Sequence, residues 1–211
     1  KMRDALGNEG SSSPVYSATA WSETETNITW NPAGNGIYWP YTGDWGESAN
    51  WTGWDSWRPD GNFICNFRLD DAAECVVRDE HIFYRFIQGI NGPGGIVRVV
   101  DGGKLMTTAS WSSIARNDTA ELIVEQGGEC HFGGHLWCGM ADGADGIIRI
   151  NGGTITNTGA FGLGWHDNQP SGGNAKTEIY INGGSLNIDR WSGSGAIQPG
   201  SFIDIKEGYV T

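Results

Sequence analysis

With 211 residues, a net charge of −12 and a pI near 4.6, the chain lacks the broad cationic face that nucleic acid, heparin or strongly anionic uronans require. Its 34 glycines are more than twice ordinary usage, and no long apolar stripe of helical period appears, which excludes a helical bundle and points to an all-β chain. No apolar run reaches the roughly 18 residues of a membrane-spanning helix, so neither nucleic acid nor a membrane is an expected partner.

Residues 1–20 are small, polar and serine-rich and read as a linker or tail. No apolar signal-peptide core follows Lys1, so the chain reads as a mature or excised segment. Residues 21–62 change character: Trp21, Trp30, Trp39, Trp45, Trp51, Trp54 and Trp57 are separated by Gly, Pro, Asn and Asp, as in an aromatic cap rich in turns. Phe63 to Leu69, Glu74 to Val77 and Ile82 to Ile87 read as strands of one irregular coil, with a hairpin expected between the first two. Gly89 to Gly95 reads as the turn that leads into a regular repeat.

That repeat occupies the rest of the chain, so residues 63–211 form one repetitive body. Val97 to Leu105, Leu122 to Cys130, Ile148 to Ile155 and Ile179 to Leu186 each run from an apolar strand through Gly-Gly into a second apolar strand, and Ile203 to Val210 is a worn fifth copy. The steps between first glycines are 25, 25 and 31 residues, then 24 to Glu207, which replaces a glycine. A period of this length with one insertion marks stacked coils. Alternation sets Val97/Val99, Leu122/Val124, Ile148/Ile150, Ile179/Ile181 and Ile203/Ile205 inward. A second inward column holds Leu105, Cys130, Ile155, Leu186 and Val210, and a third Ile114, Cys138 and Leu163. One extra residue before the glycines in the first two repeats reads as a corner bulge. The glycines supply positive φ and the absence of a Cβ at each corner. The insertion, His166 to Asn174, falls in an outer loop.

This pattern resembles bacterial secreted right-handed parallel β-helices of the pectin-lyase-like and autotransporter-passenger kind. Gly43 to Gly53 (GDWGESANWTG) with Pro59-Asp60-Gly61 is similar to the lead-in that often precedes such repeats, so the resemblance covers about residues 43–211. It implies an all-β fold, a right-handed parallel β-helix of about five to six coils with a Trp-rich N-terminal cap, and an extracellular, secreted or cell-surface location. Xylan-binding modules appended to bacterial xylanases share this fold and its abundance of tryptophan.

Eleven tryptophans are the compositional outlier. An indole face packs against the axial C–H groups of a pyranose at small entropic cost, so aromatic residues are candidates for glycan contact. Trp111, Trp137, Trp165 and Trp191 occur one per repeat, 8, 9, 12 and 7 residues after the second glycine, which suggests outer positions along one side. Packing under loops is the ordinary alternative for each. Trp45 and Trp51 read as covers of the open end, and Trp54 and Trp57 as additional ligand candidates. His166 and Asp167, beside Trp165 in the inserted loop, could orient sugar hydroxyls. Cys130, His131, His135 and Cys138 have spacings a zinc site could use, but the inward cysteines favour buried thiols or an intracoil disulfide; Cys65 and Cys75 could pair across the expected hairpin. No convergent catalytic set appears: Arg98, Arg149, Asp142 and Asp145 are scattered, and ADGADG reads as a turn.

The expected function is therefore that of a non-catalytic carbohydrate-binding module, borne on the same chain as a catalytic module and taking a neutral or lightly charged polysaccharide, xylan first. No cofactor is expected, and the acidic excess leaves room for at most a weak Ca²⁺ site. The alternative from another class is a structural or adhesive solenoid segment of a surface protein or filament, because the last strand presents an edge that further chain or a partner would cover. A small polysaccharide lyase or hydrolase is the third reading.

Overall fold

The computed structural model describes residues 26–30, 42–44, 51–52, 61–67, 69–90, 92–108, 111–164, 174–191 and 200–211, with side chains from Glu74 onward. In chain order the strands are β1 (Thr26–Trp30), β2 (Thr42–Asp44), β3 (Trp51–Thr52), β4 (Gly61–Phe67), β5 (Leu69–Val77), β6 (Glu80–Gln88), β7 (Gly94–Val99) and β8 (Lys104–Thr107). They continue as β9 (Trp111–Ile114), β10 (Ala120–Glu125), β11 (Glu129–Phe132), β12 (His135–Cys138), β13 (Asp145–Asn151), β14 (Thr154–Leu163), β15 (Lys176–Trp191) and β16 (Phe202–Val210). Among the described residues there is no helix, and apart from the short β1–β3 pair the named strands pair in parallel, giving a β-solenoid of about five turns. The 1–20 segment lies outside the described residues.

Three strand stacks enclose one core. The first contains β2, β5, β7, β10, β13 and the opening halves of β15 and β16. The second contains the start of β6, then β8, β11, the start of β14, the middle of β15 and the end of β16. The third contains β1, β4, the end of β6, β9, β12 and the ends of β14 and β15. Here β4 and β5 are not a hairpin. They belong to different stacks, with Cys65 opposite Phe86 and Cys75 opposite Val97, so β4 completes the rung before β5 and β6. Alternating apolar residues mark both as strands, but that alternation does not say which stack each joins.

The inward columns run in the expected register. Val97, Leu122, Ile148, Ile179 and Ile203 stack in one column and Val99, Val124, Ile150, Ile181 and Ile205 in the next, with Cys75 and Val77 below them. Leu105, Cys130, Ile155, Leu186 and Val210 form the second stack's column, and Ile114, Cys138 and Leu163 the third's. Pairing of Asp145 with Lys176 continues across the 31-residue repeat, so the long insertion leaves this register intact.

The two glycines of each pair do different work. Gly102, Gly127, Gly152 and Gly183 adopt φ of 79°, 77°, 91° and 109°, the left-handed conformation that turns the chain from the first stack to the second. The glycine that follows lies on the coil below. A Cβ on Gly128 would stand 2.5 Å from the Val99 carbonyl oxygen, and one on Gly153 2.5 Å from that of Glu125. Gly103 bears the same relation to Val77, Gly184 to Gly153 and Gly208 to Gly184. The next residue closes the contact: Glu129, Thr154 and Ser185 donate their N–H groups to Gly103, Gly128 and Gly153, each at 3.0 Å. In the worn copy Glu207 keeps an ordinary φ, Gly208 takes the positive φ of 110°, and the ladder shifts register beside it.

Aromatic rings fill the core by an alternation of size. In the second stack Phe83, Thr107, Phe132 and Asn157 follow one another, and in the third Leu136 and Phe161 lie above Ser112. Because the second coil supplies only Thr107 and Ser112 here, Phe86 and Phe132 meet across it with centroids 6.2 Å apart. Two strand spacings of about 4.8 Å would otherwise separate them. All these side chains are buried.

Gly128→Ala should cost about 2 kcal/mol or more, since carbonyl backbone cannot move aside. Gly143→Ala, whose Cβ meets nothing within 4 Å but whose φ is 77°, should cost only about 1 kcal/mol. Urea unfolding of the two variants checks the order.

Candidate functional site

The outer face of the first stack carries an ordered pattern of charge. Along one column Glu74, Ile96, Glu121, Ile147, Glu178 and Phe202 succeed one another; beside it run Val76, Arg98, Ile123, Arg149, Tyr180 and Asp204. Register mates in a parallel stack lie about 4.8 Å apart, so carboxylates in successive coils would repel one another. Isoleucine in alternate coils separates them to about twice that spacing, near the Debye length of about 10 Å.

The arginines occupy diagonal positions between the acids. Arg98 bridges Glu74 and Glu125, and Arg149 donates to Glu121 at 2.5 Å while its guanidinium lies 4.5 Å from the centre of the Tyr180 ring. Burial works against the Arg98 charge, but hydrogen bonds and charges from Glu74 and Glu125 outweigh it and raise its pKa. Tyr180 donates to Glu178 at 2.8 Å, a bond that raises the phenol's pKa, and packs edge-on against Phe202 at 5.5 Å. Such partly exposed pairs contribute about 0–1 kcal/mol each; their main effect is to fix register.

A groove of about 230 Å³ opens on this face across successive coils, lined by Gly95, Thr119, Glu121, Asp145, Ile147, Lys176 and Glu178 among others. Lys176 spans it, 3.4 Å from Asp145 and 3.8 Å from Glu178. At its margin the Gln88 amide donates to the carbonyls of Gly95 and Glu121, at 3.0 and 2.9 Å, anchoring the turn before the first regular repeat. The groove thus combines an apolar floor at Ile147 with hydrogen-bonding groups whose charges are largely paired among themselves. Its residues come from four coils and from corners outside the repeat motif, so sequence spacing did not group them. The signal available was the acid and isoleucine alternation at a fixed place in successive repeats.

Among the described residues the tryptophans do not form one ladder. Trp111 and Trp137 stand on the outer face of the third stack in adjacent coils, but Trp111 is opposite His135 and Trp137 opposite Ser113, two residues out of line. Arg85 and Arg116 lie over the Trp111 ring at 4.3 and 5.0 Å, and His135 adjoins Trp137 at 5.5 Å. Trp191 corrects the expectation of an outer position. It stands opposite Phe161, in the inward column above Leu136, packs edge-on against Phe161 at 5.7 Å and is 46% exposed. Offsets counted along the chain missed this because the bulge between Asn157 and Ala160 shifts the register. Trp165, His166, Asp167, Trp54 and Trp57 lie outside the described residues.

Cys130 and Cys138 are buried free thiols, in columns of different stacks, whereas His131 and His135 point outward. Among the described residues no three His, Cys, Asp or Glu side chains are grouped to hold a metal. Asp142 and Asp145 are likewise divided: Asp142 lies in the ADGADG turn, closed by a 3.0 Å bond from Ala144 to Ala141, and Asp145 opens β13. Burial raises the Cys130 pKa strongly and takes that of Cys138 to about 12, against a hydrogen bond with Thr177 that lowers it. No known family, characterised protein or solved structure matches the chain.

Ile147→Glu would place carboxylates in three successive coils and should destabilise the fold by about 1 kcal/mol, with partial recovery in high salt; thermal melts in two salt concentrations test this. The buried thiols give a pH dependence. Folding keeps both protons bound where the unfolded chain loses them, so this stability is complete below the unfolded thiol pKa of 9.0 and falls as pH rises above it. The loss should approach about 1.4 kcal/mol per thiol per pH unit. Denaturant midpoints from pH 7 to 11, compared with those of Cys130→Ala/Cys138→Ala, measure it.

Proposed function

We propose that this chain is a non-catalytic carbohydrate-binding module that holds an uncharged or lightly charged polysaccharide, xylan first. The observation that carries this reading is the groove across the first stack, with Ile147 beside Thr119, Glu121, Asp145, Lys176 and Glu178. A pyranose offers an apolar C–H face and a rim of hydroxyls, and this lining can meet both. Since Lys176 is shared by two carboxylates and Arg149 is paired with Glu121, little unbalanced field remains to select a charged ligand, and the overall charge of −12 opposes a polyanion. Tyr180 and Phe202 extend the same face with aromatic surface. An extended glycan along the solenoid axis would meet successive coils in turn.

Catalysis has less support. Arg98 and Arg149, candidate bases for a lyase, are each engaged in ion pairs with carboxylates. The groove carboxylates are themselves engaged by cations or by the Tyr180 phenol. A secreted location and a catalytic module on the same chain accompany the binding reading as part of the proposal.

Affinity electrophoresis in gels containing xylan or agarose, followed by a glycan array, tests the proposal. The expected result is retardation by a neutral glycan, reduced severalfold, or by about 1 kcal/mol, in Lys176→Ala and in Glu178→Gln. Loss confined to Trp137→Ala would move the ligand to the third stack. Absence of binding to any glycan would overturn the reading.

A further inference from the structure

The groove of the first stack runs between two outward columns. Buried and outward residues alternate along these strands, so Thr119, Asp145 and Lys176 follow one another on one side and Glu121, Ile147 and Glu178 on the other. Ala120 and Gly146 lie between the columns, which stand two residues, or about 6.6 Å, apart along each strand. Three successive coils therefore present one facing pair each: Thr119 with Glu121, Asp145 with Ile147, and Lys176 with Glu178. One member of every pair is a carboxylate, and its side changes from coil to coil. Glu121, Asp145 and Glu178 thus form a zigzag along the axis, and Thr119, Ile147 and Lys176 form the opposite one.

We infer, building on the reading of this groove as a polysaccharide site, that its ligand is an unsubstituted β-1,4-linked xylan held as a two-fold ribbon, with three consecutive xylose units on three consecutive coils and Ile147 selecting against glucose. In such a ribbon each pyranose is turned over relative to the one before. Either edge therefore alternates between the O2–H, O3–H diol of one unit and the C5, ring-oxygen side of the next. The advance per unit is close to one strand spacing, about 4.8 Å, so the diols zigzag with the same period as the three carboxylates. A carboxylate only accepts hydrogen bonds, through about four lone-pair positions, and a vicinal diol offers it two donors.

The partners already in place leave acceptor capacity for those donors. Arg149 takes one oxygen of Glu121, Tyr180 donates to one oxygen of Glu178, and the Lys176 ammonium lies 3.4 Å from Asp145 and 3.8 Å from Glu178. Hydroxyls donating to such ionised groups form strong bonds. On the other edge, the C5 side of xylose is a bare methylene beside the ring oxygen. In the middle coil it meets Ile147, and in the flanking coils Thr119 and Lys176, each of which brings an apolar portion for the methylene and a donor for the ring oxygen. A glucose or mannose unit carries a hydroxymethyl group at C5. Against Ile147 that group is crowded and its hydroxyl has no partner, which is unfavourable. Units substituted at O2 or O3 lose the donors that the carboxylates take.

Calorimetric titration with linear xylo-oligosaccharides should show affinity rising severalfold from xylobiose to xylotriose and little beyond xylotetraose. Cellotriose should bind at least about 10-fold more weakly than xylotriose. Glu121→Gln and Asp145→Asn should each weaken xylotriose severalfold. Ile147→Ala, which opens space for the hydroxymethyl group, should narrow the difference between xylotriose and cellotriose, and circular dichroism will show that the variants keep the fold. Equal binding of the two trisaccharides, an unaltered preference in Ile147→Ala, or affinity that climbs steadily to xylohexaose would overturn the inference while leaving a groove for some other neutral glycan. Absence of binding to both series, or binding untouched by Glu121→Gln and Asp145→Asn, would overturn it together with the groove reading.

Discussion

Backbone packs directly against backbone at the corners of this fold. At each corner between the first and second stacks, the second glycine of a pair lies against a carbonyl of the coil beneath, at a separation that leaves no room for a Cβ. This contact lets the next N–H reach the glycine carbonyl one coil down, so the strands on both sides of the corner enter the ladder in register. Inward columns, outer charge pattern and groove all inherit that register. Where the pair degrades to Glu207-Gly208, the positive φ moves by one residue and the pairing shifts with it.

A fixed strand spacing sets a second demand, because identical side chains in successive coils are forced together. Aliphatic residues profit from this, and Val, Ile and Leu repeat through all the regular coils. Large rings and charges do not. Phe83 and Phe132 are separated by Thr107, and Glu121 is separated from Glu74 and Glu178 by Ile96 and Ile147. The period of the backbone is one coil, whereas Phe83 and Phe132, and the acids of the first stack, recur over two.

The groove is an outcome of the same register. On the side of the solenoid, charges neutralise one another beside Ile147, and the proposed binding of a neutral polysaccharide rests on that lining.

The sequence by itself determined the architecture. The double glycines, their period and the alternation of Val, Leu and Ile located all three inward columns, because a stacked coil repeats its demands at fixed intervals. It also placed Cys130 and Cys138 inside and read ADGADG as a turn. Tertiary structure alone decided which stack each irregular strand joins, as with β4 and β5, since apolar alternation does not encode the stack. It likewise turned Trp191 inward over Phe161 and gathered Glu121, Asp145, Lys176 and Glu178 about one groove. These placements depend on bulges and on neighbours a whole coil apart in sequence. The local pattern fixes the rung, and only the stacking of rungs fixes what stands beside what.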